Sequence, residues 1–477
     1  MSFNTDDWFN GEIGNLEELQ RAHRNRRIIE FALFARELPR YAEAGTETVA
    51  RMMQSFEFVK GLSGIDLSAM ASEPQFHYWT VHAHHLLSRL KAGEAVPAKD
   101  TPHLEGVPDF DRDPLGAHVK DLGRFLLVAA LRSGVSFEAT VPLHNGKLHL
   151  PGLNMMIQGI GGASDGIVTV RASDLGMFIN GHPVEDFKPA FAAALTRNAG
   201  FTSPQVTVLP FVQRGSGSFA VNAIEPYWER SWVSSYRNPD GSRYQQAPVD
   251  QHEKWATELG QAMDVLVDCW PKMEAQVAGL LRVVIPVRSA RRDLHMSCSS
   301  EVFRFAVLLS EGDPETLAEA LIHELGHNLL NIFMEEHPIF KSKASAEEIL
   351  YSPWRDDARH MAGVLHAAFV FERVCEYYRR YLKRKENRRM RKRYALMSAR
   401  ISLANEVLAS DEANLTPHGV NLVEQINARS VRHALESGFR FDASIHAQLR
   451  EHYQNWTARY PSARQPKGSY ATMLLKA

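Results

Sequence analysis

Cysteine is nearly absent, with Cys269, Cys298 and Cys375 the only three in 477 residues. That is too few, and too scattered, for a disulfide framework or a zinc ribbon. An excess of one charge sign is missing as well. Lys and Arg number 54 against 56 Asp and Glu, a formal net charge of −2, so no global charge points to nucleic acid or a membrane surface. Apolar runs are short: FLLVAAL at 125–131 falls far below the roughly 20 residues of a membrane span. The acidic start, MSFNTDDWFNGE, lacks the apolar centre of a signal peptide, and the cytoplasm is the expected compartment. With 44% hydrophobic and 23% charged residues, the composition is that of a globular protein able to build large cores. The length allows about three domains.

Three textures follow one another. Residues 15–90 place apolar side chains at three- and four-residue spacings, as helices do, and a Pro-, Asp- and Gly-rich loop at 93–116 leads to a short helix at 118–133. From 135 to about 232, short apolar runs such as FEATVPL, KLHLPGL, GIVTVRA and QVTVLPFV alternate with turn signals, a strand pattern. After a polar turn region at 236–248, a helix is expected at 253–280. Strands are expected at 281–287 (LRVVIPV) and 302–310 (VFRFAVLLS), and mostly helix from there on. The expected organisation is α+β, with a helical region at 1–134, a strand-rich region at 135–250 and a mostly helical metal-binding region at 251–477.

The chemistry is concentrated in SEGDPETLAEALIHELGH at 310–327. Asp313 can cap a helix, Pro314 suits its first position, and Glu315 favours its positive end. The helix then carries His323, Glu324, Leu325, Gly326 and His327. Histidines four apart lie on one helical face, so both imidazoles can reach one metal ion, while Glu324 can address a metal-bound water or co-substrate. Neutral imidazole binds zinc, iron, nickel and copper alike, so the spacing specifies a site and not a metal. The competing interpretation is a helix whose two histidines face a polar interface. Gly326 costs about 1 kcal/mol relative to alanine in mid-helix, which suits close approach of another backbone. For a third ligand, the metzincin pattern would need Gly at 330 and His at 333; the chain has Leu330 and Phe333, which excludes that subclass. His366 leads, because ARHMAGVLHAAFVFERVCEYYRR reads as a helix that could pack beside the first. Glu347, His337, Asp356, Asp357 and His360 stay open, and a histidine on a mostly apolar helix is commonly a core residue.

LIHELGHNLLN, then YSPWRDDARHMAGVLHAAFVFERVCEYY, and later SARISLANEVLASDEANLTPHGVNLVEQI, resemble the HExxH-motif peptide-modification proteins found with ribosomally made, modified peptides. The likeness covers about residues 302–425, roughly a quarter of the 477. It implies an iron(II)- and 2-oxoglutarate-dependent oxygenase that uses O2 to hydroxylate a side-chain β-carbon in a precursor peptide. Carried over, His323, His327 and His366 would hold iron, and Arg355 and Arg359 of PWRDDAR would bind a carboxylate of 2-oxoglutarate. A guanidinium fork can hold a carboxylate bidentately, and three protein ligands leave positions open for a keto acid and oxygen. Both arginines could equally pair with Asp356, Asp357 or a helix end. Glu324 would orient a ligand or a substrate amide in an oxygenase. In the alternative, a zinc metallopeptidase, it would deprotonate the zinc-bound water. A third possibility is a non-catalytic peptide-binding scaffold with a structural metal. The expected fold is α+β, with a zincin-like metal-binding half whose HExxH helix lies beside a small sheet.

Four weaker signals remain. RRYLKRKENRRMRKR at 379–393 holds ten basic residues and one acid; such a run is usually a solvated helix face, with attraction of an acidic leader peptide the other reading. No stacking platform accompanies it, so a nucleic-acid partner is not expected. His77, His82, His84 and His85 lack clean ligand spacing and read as helix surface. The glycines of QGIGGASDG at 158–166 miss the dinucleotide fingerprint and read as a loop, and Cys298 reads as a free structural thiol.

Overall fold

In its computed structural model the protein is α+β. The structure describes all residues except 1–8, 11–15, 43–45, 95–101, 105–111, 161–165, 175, 198–199, 216, 234–243, 289–294, 411 and 477. Most of the loops expected at 93–116 and 236–248, and the centre of the glycine-rich run at 158–166, lie outside the described residues. Among the described residues no helix is long and apolar enough to cross a membrane, and the three cysteines are free thiols. The chain forms two compact units. One comprises residues 20–261 and 278–314, the other residues 1–19, 262–277 and 315–477.

The first unit holds the three larger sheets. Ile167–Ser173 pairs antiparallel with Phe137–Pro142 and with Gly176–Ile179. It buries Val168, Val170 and Ala172 while exposing Thr169 and Arg171, the period of two that one buried face imposes. A second small antiparallel sheet is built on Leu148–Leu150, Met155–Ile157 and Val206–Val208. The largest sheet is mixed, with Val283–Arg288 running parallel to both Gly217–Val221 and Ala306–Ser310. Ala306–Ser310 is buried throughout, and Val283–Arg288 along all but its last residue, as suits parallel strands covered on both faces. A buried ion cluster ties this unit together. Arg124 Nε donates to Asp121 Oδ1 at 2.7 Å and its Nη1 to Glu225 Oε1 at 2.9 Å.

Several sequence expectations need correction. The strand expected at 302–310 begins only at Ala306, because Phe305 takes a φ of 63°, left-handed backbone that a strand does not contain. The helix expected at 253–280 is two, His252–Cys269 and Pro271–Leu280, since Pro271 has no N–H to continue the first. The histidines of HYWTVHAHHLL are not all surface. His77 is buried, its ring edge-on to His23 at 5.1 Å, and burial pushes its pKa well below the usual histidine range. The helix Pro74–Lys91 is buried nearly all round over its first half, and a polar letter there does not mark a solvated face.

The second unit is helical. Its motif helix, Pro314–Glu336, is followed by a two-stranded pairing of Ile349–Leu350 with Arg359–His360. The helices Met361–Arg384, Arg388–Ala409, Pro417–Glu436 and Ala443–Arg459 come next. Asn387, Thr416 and Asp442 cap three of them by accepting backbone N–H groups, which satisfies donors that a helix start leaves open. The core runs through Leu317, Leu321 and Leu325 of the motif helix, Phe369, Val370 and Val374 of the next, then Leu403, Val407 and Ile426. Polar groups cross that core. Buried Glu372 meets His433 Nε2 at 3.3 Å, and His433 Nδ1 meets the Tyr394 hydroxyl at 2.9 Å. Glu376 accepts from Arg379, Arg380 and Arg432 at 2.6–2.9 Å.

Candidate functional site

The motif helix and the helix Met361–Arg384 approach each other at Gly326. A β-carbon there would sit 3.0 Å from Val370 Cγ1 and 3.5 Å from Arg373 Cδ. The glycine therefore makes room for two side chains of the neighbouring helix, not for another backbone. Tyr377 and Tyr381 add hydrogen bonds to the carbonyl and the carboxylate of Glu315, at 3.2 and 2.9 Å. These contacts hold His323 and His327 opposite His366.

His323 Nε2 and His327 Nε2 lie 3.2 Å apart, and His327 Nδ1 lies 3.2 Å from His366 Nδ1. His327 is thus the middle ring, with His323 at one nitrogen and His366 at the other. Among the described residues no group of three or more His, Cys, Asp or Glu side chains already surrounds a single metal position. The donor set nonetheless fits a metal. Burial lowers the pKa of both His323 and His327 to about 4, with His323's charge adding to the effect on His327 and Glu324 opposing it. Both imidazoles are therefore neutral at pH 7, the form that ligates.

The other sequence candidates divide sharply. Glu324 is buried, its Oε1 3.9 Å from His323 Nε2. Arg355 and Arg359 line the same cleft as His323 and His327, a space of about 350 Å³ completed by Ser352, Trp354, Gly363, Ala367, Phe371 and Arg400. Trp354 stacks on Phe371 at 5.2 Å, and Phe371 meets the His323 ring at 4.8 Å, forming one aromatic wall. Both candidate arginines reach Asp357: Arg355 Nε lies 3.1 Å from Oδ1, and Arg359 Nη2 lies 2.9 Å from Oδ2. The alternative third ligands are engaged elsewhere. Glu347 lies 3.6 Å from Lys343, His360 Nδ1 meets the Glu347 carbonyl at 2.6 Å, Asp356 lies 3.5 Å from His452, and His337 packs on Phe333 and His418.

The basic run 379–393 is not a bare cationic surface. Arg379 and Arg380 serve Glu376, Arg393 pairs with Glu319, Lys385 lies 3.6 Å from Glu315, and Arg391 pairs with Glu386. Burial pushes the Glu376 carboxyl up, but hydrogen bonds and charge from Arg379, with Arg432 and Arg380, outweigh it and hold the pKa at about 2. Much of the run serves helix packing.

Sequence reasoning passed over Arg400, Trp354 and Phe371. For Arg400 a signal existed: in a helical stretch, its neighbours three and four residues away are Leu396, Met397, Leu403 and Ala404, so the helix itself offers it no acid. Compared with known proteins, the chain matches no family model and no curated protein.

Proposed function

We propose that the chain is an iron(II)- and 2-oxoglutarate-dependent oxygenase that hydroxylates a side-chain β-carbon in a ribosomally made precursor peptide, in a zincin-like metal-binding half. One observation carries the reading: the neutral imidazoles of His323 and His327 share a cleft with Arg355, Arg359 and Arg400. A metal-binding edge beside a cluster of guanidiniums suits a ligand that chelates a metal at one end and carries an anion at the other. His323, His327 and His366 would hold the iron, which when bound supplies the activation of O2. The arginines bind carboxylate, the Trp354–Phe371 wall excludes water from the histidines, and Glu324 orients a polar group beside His323. In the overall reaction, one oxygen atom of O2 enters the peptide C–H bond. The other enters succinate, formed from 2-oxoglutarate with loss of CO2.

A zinc metallopeptidase is the second reading, favoured by Glu324, whose carboxylate near His323 suits a general base. Incubation of the iron-loaded protein with 2-oxoglutarate, O2 and candidate precursor peptides separates the two. Succinate formed in step with a one-oxygen mass gain in the peptide supports the oxygenase. Peptide cleavage by the zinc-loaded protein without succinate overturns it. If His323→Ala abolishes metal binding and leaves folding and every activity intact, the metal is structural and the chain a peptide-binding scaffold.

A further inference from the structure

Among the described residues, Arg400 is the one guanidinium of the cleft with no acid within ion-pair distance. Arg355 and Arg359 converge on a single carboxylate, Asp357. Arg400, half-buried on the helix Arg388–Ala409, has no ion-pair partner among the described residues, and its Nε is buried without a hydrogen bond. Burial lowers its pKa, the neighbouring Tyr351 phenol raises it, Arg393 repels it, and Asp356 attracts it only from beyond ion-pair distance. No aromatic ring lies under its guanidinium among the described residues either. A half-buried guanidinium without an acid, a ring or a hydrogen bond at Nε is a standing cost to the fold. Its placement on the wall shared with His323 and His327 gives that cost a use. A carboxylate entering the cleft would meet a preformed, uncompensated fork, whereas at Arg355 and Arg359 it would compete with Asp357.

We infer that Arg400 is the carboxylate anchor of the cleft, holding the end of a dicarboxylate that lies away from the histidines. That the dicarboxylate is 2-oxoglutarate rests on the oxygenase reading; the anion preference rests on the cleft alone. Arg355 and Arg359, tied to Asp357, make the lesser contribution.

Calorimetric titration tests this with wild type, R400Q, R400K, R355Q and R359Q. The probes are succinate with metal-free protein, and 2-oxoglutarate with protein loaded anaerobically with iron(II). Near-ultraviolet circular dichroism checks that each variant is folded. R400Q should weaken binding by roughly 10- to 100-fold, the worth of charge-assisted hydrogen bonds. R400K, which keeps the charge without the fork, should fall between wild type and R400Q, and it carries the test if R400Q does not fold. R355Q and R359Q should change binding by less than R400Q does. If R400Q or R400K binds like wild type while R355Q or R359Q fails, the anchor lies elsewhere and the oxygenase reading survives. If wild type binds succinate through Arg400 but takes no 2-oxoglutarate, the anchor stands and that reading falls. Binding of neither acid by wild type overturns both.

Discussion

Replacing Glu376 by glutamine removes a buried negative charge from beneath three guanidiniums. The carboxylate is 2% exposed and accepts four hydrogen bonds, two from Arg379 and one each from Arg380 and Arg432. Arg432 belongs to Pro417–Glu436 and Glu376 to Met361–Arg384, so the cluster stitches two helices together. The folded pKa is about 2 against an ordinary 4.5. A depression of ~2.5 units at ~1.4 kcal/mol per unit amounts to about 3 kcal/mol. Because the folded value is the lower one, this stability is present above the unfolded pKa and is lost as pH falls through the folded pKa. The gap between wild type and Glu376→Gln should therefore be about 3 kcal/mol above pH 5, about half that near pH 3, and small near pH 2. Urea unfolding at pH 7, 5 and 3, followed by far-ultraviolet circular dichroism and tryptophan fluorescence, measures it. A gap under about 0.5 kcal/mol at pH 7, or one equally large at pH 3, would refute the reasoning and mark the cluster as a solvated surface group.

Two further substitutions test the helix contact and the arginine pair. Gly326→Val places new methyl groups on Val370 and Arg373, where even a β-carbon would come within 3.0 Å of Val370 Cγ1. Overpacking of this kind should cost about 1–3 kcal/mol, seen in urea unfolding, and should weaken metal binding by displacing His323 and His327 from His366; unchanged stability would contradict the close approach. Asp357→Asn should change stability by less than about 1 kcal/mol, since Asp357 is 55% exposed and exposed pairs are worth little. A larger loss would show that Arg355 and Arg359 are held there for structure.

Residue letters carried the elements better than their ends. Valine-rich alternation announced Ile167–Ser173, and apolar continuity announced Val283–Arg288, because burial of one face or two leaves a direct imprint on side-chain choice. The left-handed Phe305 left no such imprint, since nothing in a phenylalanine signals a positive φ, and the strand before the motif was read too long. At the site, spacing was enough to place His323 and His327 on one face, and the companion helix brings His366 beside His327. Partnership was only half legible: Asp357, two residues from each of Arg355 and Arg359, was one of several partners the sequence offered, and the fold selects it for both. The value of Arg400 lay in what surrounds it in space, although the apolar residues three and four positions away already hinted that its helix had no acid to give.

Anaerobic reconstitution with iron(II), followed by addition of 2-oxoglutarate and an optical spectrum, tests the proposed chemistry most directly. A visible metal-to-ligand charge-transfer band that is lost in His327→Ala is the predicted result, since it requires the keto acid to chelate iron held by this motif. The absence of such a band, together with tightly held zinc and cleavage of a generic peptide library, would contradict it and put the metallopeptidase first.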